Sequence, residues 1–289
     1  MLTIFCCPKP FRGESAAIQR AAIGSWLALR PQPQVLVFGD EPGAARAAED
    51  LGATHLPVTR RTSYGTPLVN DIFERAEAAA RHPLLCYANA DVIMTSSLAR
   101  AAAAVAAASS RFLLVGECLE LPHPPTPDFS DPRWEDAIER QARSVGVPRG
   151  PFFIDYCVFT AGLFGAMPPF ALGRSRWDNW LIAAARRSGA WVVEASATVT
   201  AVHQPHAYDH VAGGRSWCYH GPEARMNQRL SGLRNWVHLH SVLDATHSLA
   251  DGRIRTRRPG TLWSQFALRA AGLVRERWPR SRGVGGRTA

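Results

Sequence analysis

The segment LLCYANADVIM (84–94) places two oxygen-bearing side chains, Asn89 and Asp91, inside an otherwise apolar run. Alternate residues of a strand point to the same face, so an extended strand here would put both side chains on one face. Such a pair suits Mg²⁺ or Mn²⁺, which bind amide, carboxylate and phosphate oxygens. The same residue types also form strand-end turns, in which their side chains bond nearby backbone. The segment predicts a metal site and leaves the turn as the alternative.

Two carboxylates further along the chain are candidates for acid–base chemistry. Asp178 in RWDNWLI (176–182) stands at or near the start of a predicted helix, where it could accept a proton from a hydroxyl group. It could equally stabilise that helix through the helix dipole. Asp155 is a lone carboxylate in the apolar segment FFIDYCVF (152–159), so it is the reserve candidate or a paired core residue.

A histidine group follows the last apolar segment. His203 is grouped with His206, His210 and Asp209, and this spacing matches no strong zinc motif. His203 alone would more often be a core histidine with satisfied hydrogen bonds than a metal ligand. The other members of the group strengthen the case for His203 as a ligand, and the core histidine stays the alternative.

Apolar strands alternate with helical patterns, which predicts an α/β sheet built from strand–helix units. A helix over 66–81 is expected to begin with Thr66 as its N-cap and Pro67 in its first turn. The other predicted helices are 14–29, 43–51, 97–108, 133–145 and 174–190, and the predicted strands are 2–7, 34–40, 54–58, 84–94, 111–121 and one or two within 191–204.

Ligands bind outside the carboxyl ends of the strands in open α/β sheets. Polar residues follow three of the predicted strands, at Pro8–Arg12, at Asp40 and at Asn89–Asp91. We expect these three strand ends to meet in one crevice.

Composition limits the possible classes of protein. The chain has 289 residues, of which 46% are hydrophobic, enough for one large domain or a domain with a subdomain. No apolar run approaches the ~20 residues of a membrane span. The start MLTIFCCPKP lacks the features of a signal peptide and is expected to be a first strand. The six cysteines form no CxxC pair, which favours buried free thiols in a reducing cytoplasm.

The net charge of +9 is concentrated at the end of the chain. Residues 251–289 carry ten arginines against two acidic residues, so this segment accounts for +8 and the rest of the chain for +1. The body is therefore not expected to bind nucleic acid. The basic tail also contains Trp263, Phe266 and Trp278, and is either a peripheral contact with an anionic membrane or a solvated terminus.

Taken together in their order along the chain, these residues resemble the bacterial, family 2-like nucleotide-sugar glycosyltransferases of the GT-A fold. In that family a DxD motif ends the fourth strand, and NAD (89–91) is similar to a DxD whose first position is Asn. The resemblance spans roughly residues 1–205 and also covers the loop after the first strand, Asp40, YGTPLVN (64–70), RWDNWLI (176–182) and His203 in TAVHQ.

The resemblance implies roles for individual residues. Asp91 and His203 would bind Mn²⁺ or Mg²⁺, with Asn89 touching the metal or the ribose, and the cation would stabilise a departing diphosphate. Asp178, or Asp155 in reserve, would be the catalytic base. The nucleotide donor would be bound by Pro8, Arg12, Asp40, Arg61, Gly65, Asn70, Asn89 and Asp91, and the acceptor by Arg174, Asn179 and a sugar-stacking Trp177.

The expected fold is a GT-A-like (Rossmann-like) α/β domain with a mostly parallel central sheet flanked by helices and an irregular second half. Residues 1–121 would form its nucleotide-sugar-binding half, 122–250 its acceptor-binding half and 251–289 a basic tail. The expected function is transfer of a sugar from a UDP- or GDP-sugar to a glycan or lipid-linked acceptor in bacterial surface polysaccharide synthesis. The expected location is the cytoplasm or the inner membrane face.

Other functions stay open at this point. A sugar-phosphate nucleotidyltransferase shares the sheet but usually has a glycine-rich basic loop after its first strand, whereas CCPKPFRGES has one glycine. A dehydrogenase or methyltransferase would also need a glycine-rich turn there. A non-catalytic nucleotide-sugar-binding module would keep the fold without turnover. Asn89 favours that last alternative.

Overall fold

The computed structural model describes residues 1–58, 60–121, 126–206, 213–232 and 240–257. Its helices are α1 (Gly13–Ala28), α2 (Ala44–Leu51), α3 (Val69–Ala79), α4 (Ser97–Ala108), α5 (Trp134–Val145), α6 (Trp177–Arg187), α7 (Gly214–His220) and α8 (Pro222–Ser231). Its strands are β1 (Leu2–Cys6), β2 (Gln34–Phe38), β3 (Thr54–Leu56), β4 (Leu84–Ala88), β5 (Val92–Met94), β6 (Phe112–Val115), β7 (Leu119–Glu120), β8 (Val147–Pro148), β9 (Tyr156–Thr160), β10 (Trp191–Glu194), β11 (Ala201–His203), β12 (His247–Ala250) and β13 (Arg253–Thr256).

A nine-stranded sheet in the order β13-β12-β10-β6-β9-β4-β1-β2-β3 forms the centre of the described structure. Most neighbours in it are parallel, whereas β9 runs antiparallel to both β4 and β6, and β13 runs antiparallel to β12. A smaller sheet has the order β5-β11-β7-β8. The mostly parallel α/β sheet flanked by helices confirms the predicted fold class.

Both faces of the large sheet are buried, because successive side chains of each strand point to opposite faces. Ile4 of β1 packs into the apolar cluster that contains Trp26 of α1 and Leu98 of α4. Its neighbour Phe5 packs on the other face, against α3 and α6, and its ring lies edge-on to Phe73 at 5.0 Å. The near-continuous apolar strands of the sequence are the result of this two-sided burial.

The strand predicted over 84–94 is broken in the structure. β4 ends at Ala88, and a turn follows that is closed by a hydrogen bond of 3.1 Å from the Val92 N–H to the Asn89 carbonyl. β5 then pairs antiparallel with β11 in the smaller sheet. The expectation that Asn89 and Asp91 share one strand face is therefore wrong, because the chain changes sheets between them.

The segment predicted as one strand over 111–121 is also divided, into β6 of the large sheet and β7 of the smaller one. The switch is decided by the pairing of β7 with the distant strand β11, which the local periodicity of the sequence does not record.

α3 begins later than predicted. The Thr66 hydroxyl donates to Glu223 Oε2 at 2.9 Å instead of capping the helix, and Pro67 forms a bridge with Arg61. Leu68, in an extended conformation, precedes the first helical residue, Val69.

The second half is more regular than predicted and contributes to the central sheet. β9 is inserted between β4 and β6, and β10, β12 and β13 extend the same sheet. The predicted boundary between residues 250 and 251 falls inside the β12–β13 hairpin, so the sheet continues into the segment assigned to the basic tail. The rest of that tail, residues 258–289, lies outside the described residues.

Candidate active site

Three side chains meet at the carboxyl end of β4: Asp91, His203 and His206, hereafter the Asp91 cluster. Their ligand atoms all lie within 4.8 Å of one another. The register of β11 on β5 pairs His203 with Val92, next to Asp91, and the Gln204 N–H donates to the Asp91 carbonyl at 2.9 Å. Backbone pairing therefore fixes the position of His203 beside Asp91.

The geometry of the Asp91 cluster fits a divalent metal ion. His206 Nε2 lies 2.9 Å from Asp91 Oδ2, and His203 Nε2 lies 3.8 Å from Asp91 Oδ1. Asp91 Oδ1 and His203 Nδ1 are buried and have no hydrogen-bond partner among the described residues. Such atoms normally find a partner. One carboxylate and two imidazoles form a donor set used for metals such as Mn²⁺.

Positive charge surrounds Asp91. Lys9 Nζ lies 3.4 Å from Asp91 Oδ2 and 2.8 Å from His206 Nε2. Burial alone would raise the pKa of Asp91, but the hydrogen bond from His206 and the charges of His203 and Lys9 outweigh burial and hold the pKa well below its usual range. Asp91 is therefore a carboxylate at neutral pH.

The pKa of the neighbouring His203 is lowered, chiefly by burial, against the opposing attraction of Asp91. At any pH above the usual histidine pKa, His203 is therefore a neutral imidazole. The neutral form is the one that binds metals.

A second polar group adjoins the first. The Asn89 side-chain amide donates to Asp155 Oδ1 at 3.0 Å, and its oxygen accepts from the Tyr87 hydroxyl at 3.0 Å. Arg149 Nη1 lies 3.5 Å from Asp155 Oδ2. Asn89 thus has protein partners at both ends of its amide, and its predicted contact with metal or ribose stays a prediction.

Asp178 begins α6 and is partly buried. Its pKa is raised to about 7, chiefly by loss of hydration and also by the negative charge of Asp155, while hydrogen bonds from backbone N–H groups, including those of Asn179 and Ile154, oppose the shift. A carboxyl group with a pKa near the working pH is suited to general-base catalysis. The structure therefore brings both predicted carboxylates, Asp155 and Asp178, close enough for their charges to interact.

Residues predicted to bind the nucleotide are only partly brought together. Arg61 Nη2 lies 3.3 Å from Asp40 Oδ2, and its Nη1 donates to the Gly65 carbonyl at 2.9 Å. These three residues form one polar corner at the ends of β2 and β3.

The other predicted nucleotide-binding residues lie apart from that corner. Pro8 is buried directly after β1, and Arg12 is exposed at the start of α1. The Asn70 amide donates to Glu74 within α3, at 3.5 Å. In the described part of the chain, neither Arg12 nor Asn70 makes a hydrogen bond or ion pair with the Asp91 cluster.

The structure corrects the predicted acceptor site. Trp177 is 5% exposed, and its ring packs edge-on against Tyr87 at 5.0 Å, so it is a core residue without a face for a sugar. The buried Asn179 amide donates to the Phe152 and His240 carbonyls, at 3.2 and 2.8 Å. Trp177 and Asn179 are buried in the core because both lie in the buried first turn of α6.

The third predicted acceptor residue, Arg174, is committed to a buried ion pair. Its Nη2 lies 2.8 Å from Glu223 Oε2, and the same carboxylate accepts hydrogen bonds from Thr62 and Thr66. Glu223 is 1% exposed. This network links α8 to the loop before α3.

Glu223→Gln is expected to destabilise the protein by about 3 kcal/mol, because it leaves the Arg174 guanidinium buried without a counter-charge. Urea unfolding followed by circular dichroism measures the change, with the exposed Glu49→Gln in α2 as the matched control. Equal midpoints for the two variants would contradict the structural role of Glu223.

Sequence reasoning gave no role to Lys9 or Arg149 and did not assign His206 as a ligand. One feature of the sequence could have drawn attention to Lys9, because it is the only lysine in a chain with 32 arginines. His206 could have been found from its position three residues after His203. Arg149 follows a Pro-rich segment, and no feature of the sequence indicated a role for it. Asp209 and His210, named with the histidine group, lie outside the described residues.

No helix in the described ranges is long and apolar enough to cross a membrane.

Comparison with known proteins gives similarities of structure and none of sequence. No family model matches the chain, and no curated protein matches it. S. aureus TarS 1–349 is similar with a TM-score of 0.42 and 11% identity, over 63% of this chain and 54% of that one, so the chain spans about half of the TarS fragment.

Glucosyl-3-phosphoglycerate synthase from Mycobacterium tuberculosis, in complex with Mn²⁺, uridine-diphosphate-glucose and phosphoglyceric acid, is similar with a TM-score of 0.48 and 13% identity. This match covers 80% of each chain. The fold of the present chain is described from its own sheet order.

Proposed function

We propose that this chain is a glycosyltransferase of the GT-A fold that moves a sugar from a nucleoside diphosphate sugar to a hydroxyl acceptor. The observation that carries the proposal is a cluster able to hold a cation together with a carboxyl group of pKa about 7, with Asp155 near enough to act electrostatically on both His203 and Asp178. Transfer of a sugar needs both, because negative charge develops on the departing diphosphate while the acceptor hydroxyl loses a proton.

The Asp91 cluster would hold the cation through Asp91, His203 and His206. Mn²⁺ suits two imidazoles and a carboxylate better than Mg²⁺, which prefers oxygen ligands throughout. When bound, the cation would supply charge stabilisation to the diphosphate without proton transfer.

Asp178 would accept the proton of the acceptor hydroxyl. Its pKa of about 7 leaves it largely ionised just above neutral pH and still basic enough to take a proton. Asp155 is less suited to this role, because it is already hydrogen-bonded to Asn89 and paired with Arg149. Asp155 would instead keep the pKa of Asp178 raised.

The polar corner of Asp40, Arg61 and Gly65 would bind the base or ribose of the donor, with Pro8 and Asn89 lining the path to the diphosphate. Residues 1–121 would then be the donor half and 122–250 the acceptor half. The acceptor would be a glycan or lipid-linked glycan of a bacterial surface polysaccharide, reached from the cytoplasm, with the basic tail resting on the inner membrane face.

Binding of UDP and GDP, measured by calorimetry with and without Mn²⁺, tests the proposal. We expect one of the two nucleotides to bind more tightly with Mn²⁺ than in chelator. Failure of both nucleotides to bind the folded protein under either condition would overturn the proposal.

Arg61→Gln is expected to weaken binding of that nucleotide by about tenfold, because one charge-assisted contact is lost, and to leave binding of Mn²⁺ alone unchanged. Arg60→Gln is the matched control, since Arg60 is adjacent and pairs with Asp71 on α3 instead. The same calorimetry measures both variants. An equal loss in both would remove Arg61 from the donor site.

A further inference from the structure

The chain's only lysine lies inside the cluster that would hold the metal. Lys9 Nζ is 3.4 Å from Asp91 Oδ2, and it is 3.1 and 2.8 Å from the two ring nitrogens of His206. Its side chain is 23% exposed, against 9% for Asp91. The Lys9 ammonium group therefore already balances the charge of Asp91 at Oδ2, the oxygen that also contacts His206.

The backbone of Lys9 is fixed in this position. Its N–H donates to Gln19 Oε1 at 2.6 Å, and Gln19 Nε2 donates back to the Lys9 carbonyl at 3.0 Å. Gln19 is buried in α1. The pair of hydrogen bonds holds the loop after β1 against the helix, so the lysine side chain begins at a set point beside the Asp91 cluster.

A three-ligand metal site and the observed lysine cannot share the cluster. A metal bound by Asp91, His203 and His206 needs a His206 ring nitrogen, and both of those nitrogens lie within hydrogen-bond distance of Lys9 Nζ. The metal and the ammonium would also repel each other at this distance in a site with little water. Asp91 Oδ1 and His203 Nε2, 3.8 Å apart, are two further ligand atoms, and neither is among the atoms that Lys9 Nζ contacts in the described residues.

We propose that Lys9 is a resident cation of this site, which competes with the divalent metal for Asp91 and His206 and must be displaced when the metal binds. The lysine then sets how tightly the metal is held. The proposal deepens the proposed function, on which its biological meaning rests, because a displaced ammonium stays within reach of a diphosphate bound at the same cluster.

The test is a titration of the whole chain with Mn²⁺ alone, by calorimetry or by the loss of the free-Mn²⁺ electron spin resonance signal. Lys9→Met is expected to bind Mn²⁺ at least about tenfold more tightly than the wild type, because a competing charge is removed. Arg20→Met is the control, since it removes one positive charge from an exposed ion pair with Asp50 of α2. The control is expected to match the wild type.

Lys9→Gln provides a second neutral variant, and circular dichroism confirms folding before either is titrated. Unchanged or weaker Mn²⁺ binding by the folded variants would overturn the proposal, as would an equal gain in the Arg20→Met control. Because no nucleotide is present, the nucleotide titration of the proposed function can fail while this competition stands.

Discussion

Asp91→Asn is expected to weaken Mn²⁺ binding by about 100-fold or more and to lower the rate of sugar transfer by about 1000-fold or more. The substitution keeps the size of the side chain but removes the charge shared by His203, His206 and Lys9. A neutral amide is a weak metal ligand and does not offset the three nearby groups that carry or can carry positive charge. Both metal binding and charge stabilisation would therefore fail together.

Calorimetry with Mn²⁺ measures the first effect, and release of nucleoside diphosphate from the donor measures the second. Asp50→Asn is the matched control, because Asp50 is a carboxylate in a surface ion pair with Arg20. It should behave as the wild type in both assays. Full metal binding by a folded Asp91→Asn variant would show that the Asp91 cluster is not the metal site.

Asp178→Asn is expected to lower kcat by about 100- to 10,000-fold, because the acceptor hydroxyl loses its general base. In the wild type the base works as a carboxylate, so kcat/KM should rise with pH and level off above an apparent pKa of about 7. The variant should lose that rise. A rise of the same shape in Asp178→Asn would assign the titration to another group.

The same substitution should stabilise the protein at high pH. Burial raises the folded-state pKa of Asp178 from 3.8 to about 7, so between these values the folded chain holds a proton that the unfolded chain has released. This group therefore lowers stability as pH rises from about 4 to about 7, with Asp155 and Cys157 as its charged or titratable neighbours. An asparagine at position 178 does not ionise, so it causes no such loss of stability.

Urea unfolding at pH 4 and pH 8 measures this difference. Asp178→Asn should match the wild type at pH 4 and exceed its free energy of unfolding by roughly 2–4 kcal/mol at pH 8. A gain of equal size at both values would mean that packing, not ionisation, is responsible. Loss of activity with a gain in stability is the combination expected of a catalytic carboxylate whose burial lowers the stability of the fold.

The elements that the sequence predicted well are those whose burial is two-sided and continuous. β1, β2 and β4 are apolar because both faces of the large sheet are covered, and this leaves a clear pattern. The breaks at 89–91 and 116–118 contain polar residues, but these residue types do not show that the chain leaves one sheet for the other. Pairing between distant strands, rather than local preference, decides those boundaries.

Candidate site residues could be selected from the sequence where a polar residue stands in an apolar segment. Asp91, Asp178 and His203 are polar residues in apolar surroundings, and each lies in the polar site or adjoins it. Trp177 shows the limit of the same reasoning. An aromatic residue beside a carboxylate is equally typical of a sugar platform and of a core, and its burial depends on the packing of α6 against α3.

Lys9 shows a second limit. Its distance from Asp91 in sequence is 82 residues, so only the parallel pairing of β1 with β4 reveals that the two side chains meet. The same holds for Arg149 and Glu223, whose partners lie on other elements. Ion pairs of this kind depend on the tertiary fold, and spacing along the chain does not record them.

A crystal structure of the protein with Mn²⁺ and UDP or GDP, with the metal located by its anomalous scattering, tests the central claim most directly. We expect one Mn²⁺ peak at the Asp91 cluster, where Asp91, His203 and His206 would hold the ion, with the nucleotide bound beside it. Lys9 should have moved away from His206 in that complex. A metal and nucleotide bound elsewhere, with the Asp91 cluster still closed around Lys9, would contradict the assignment of this site.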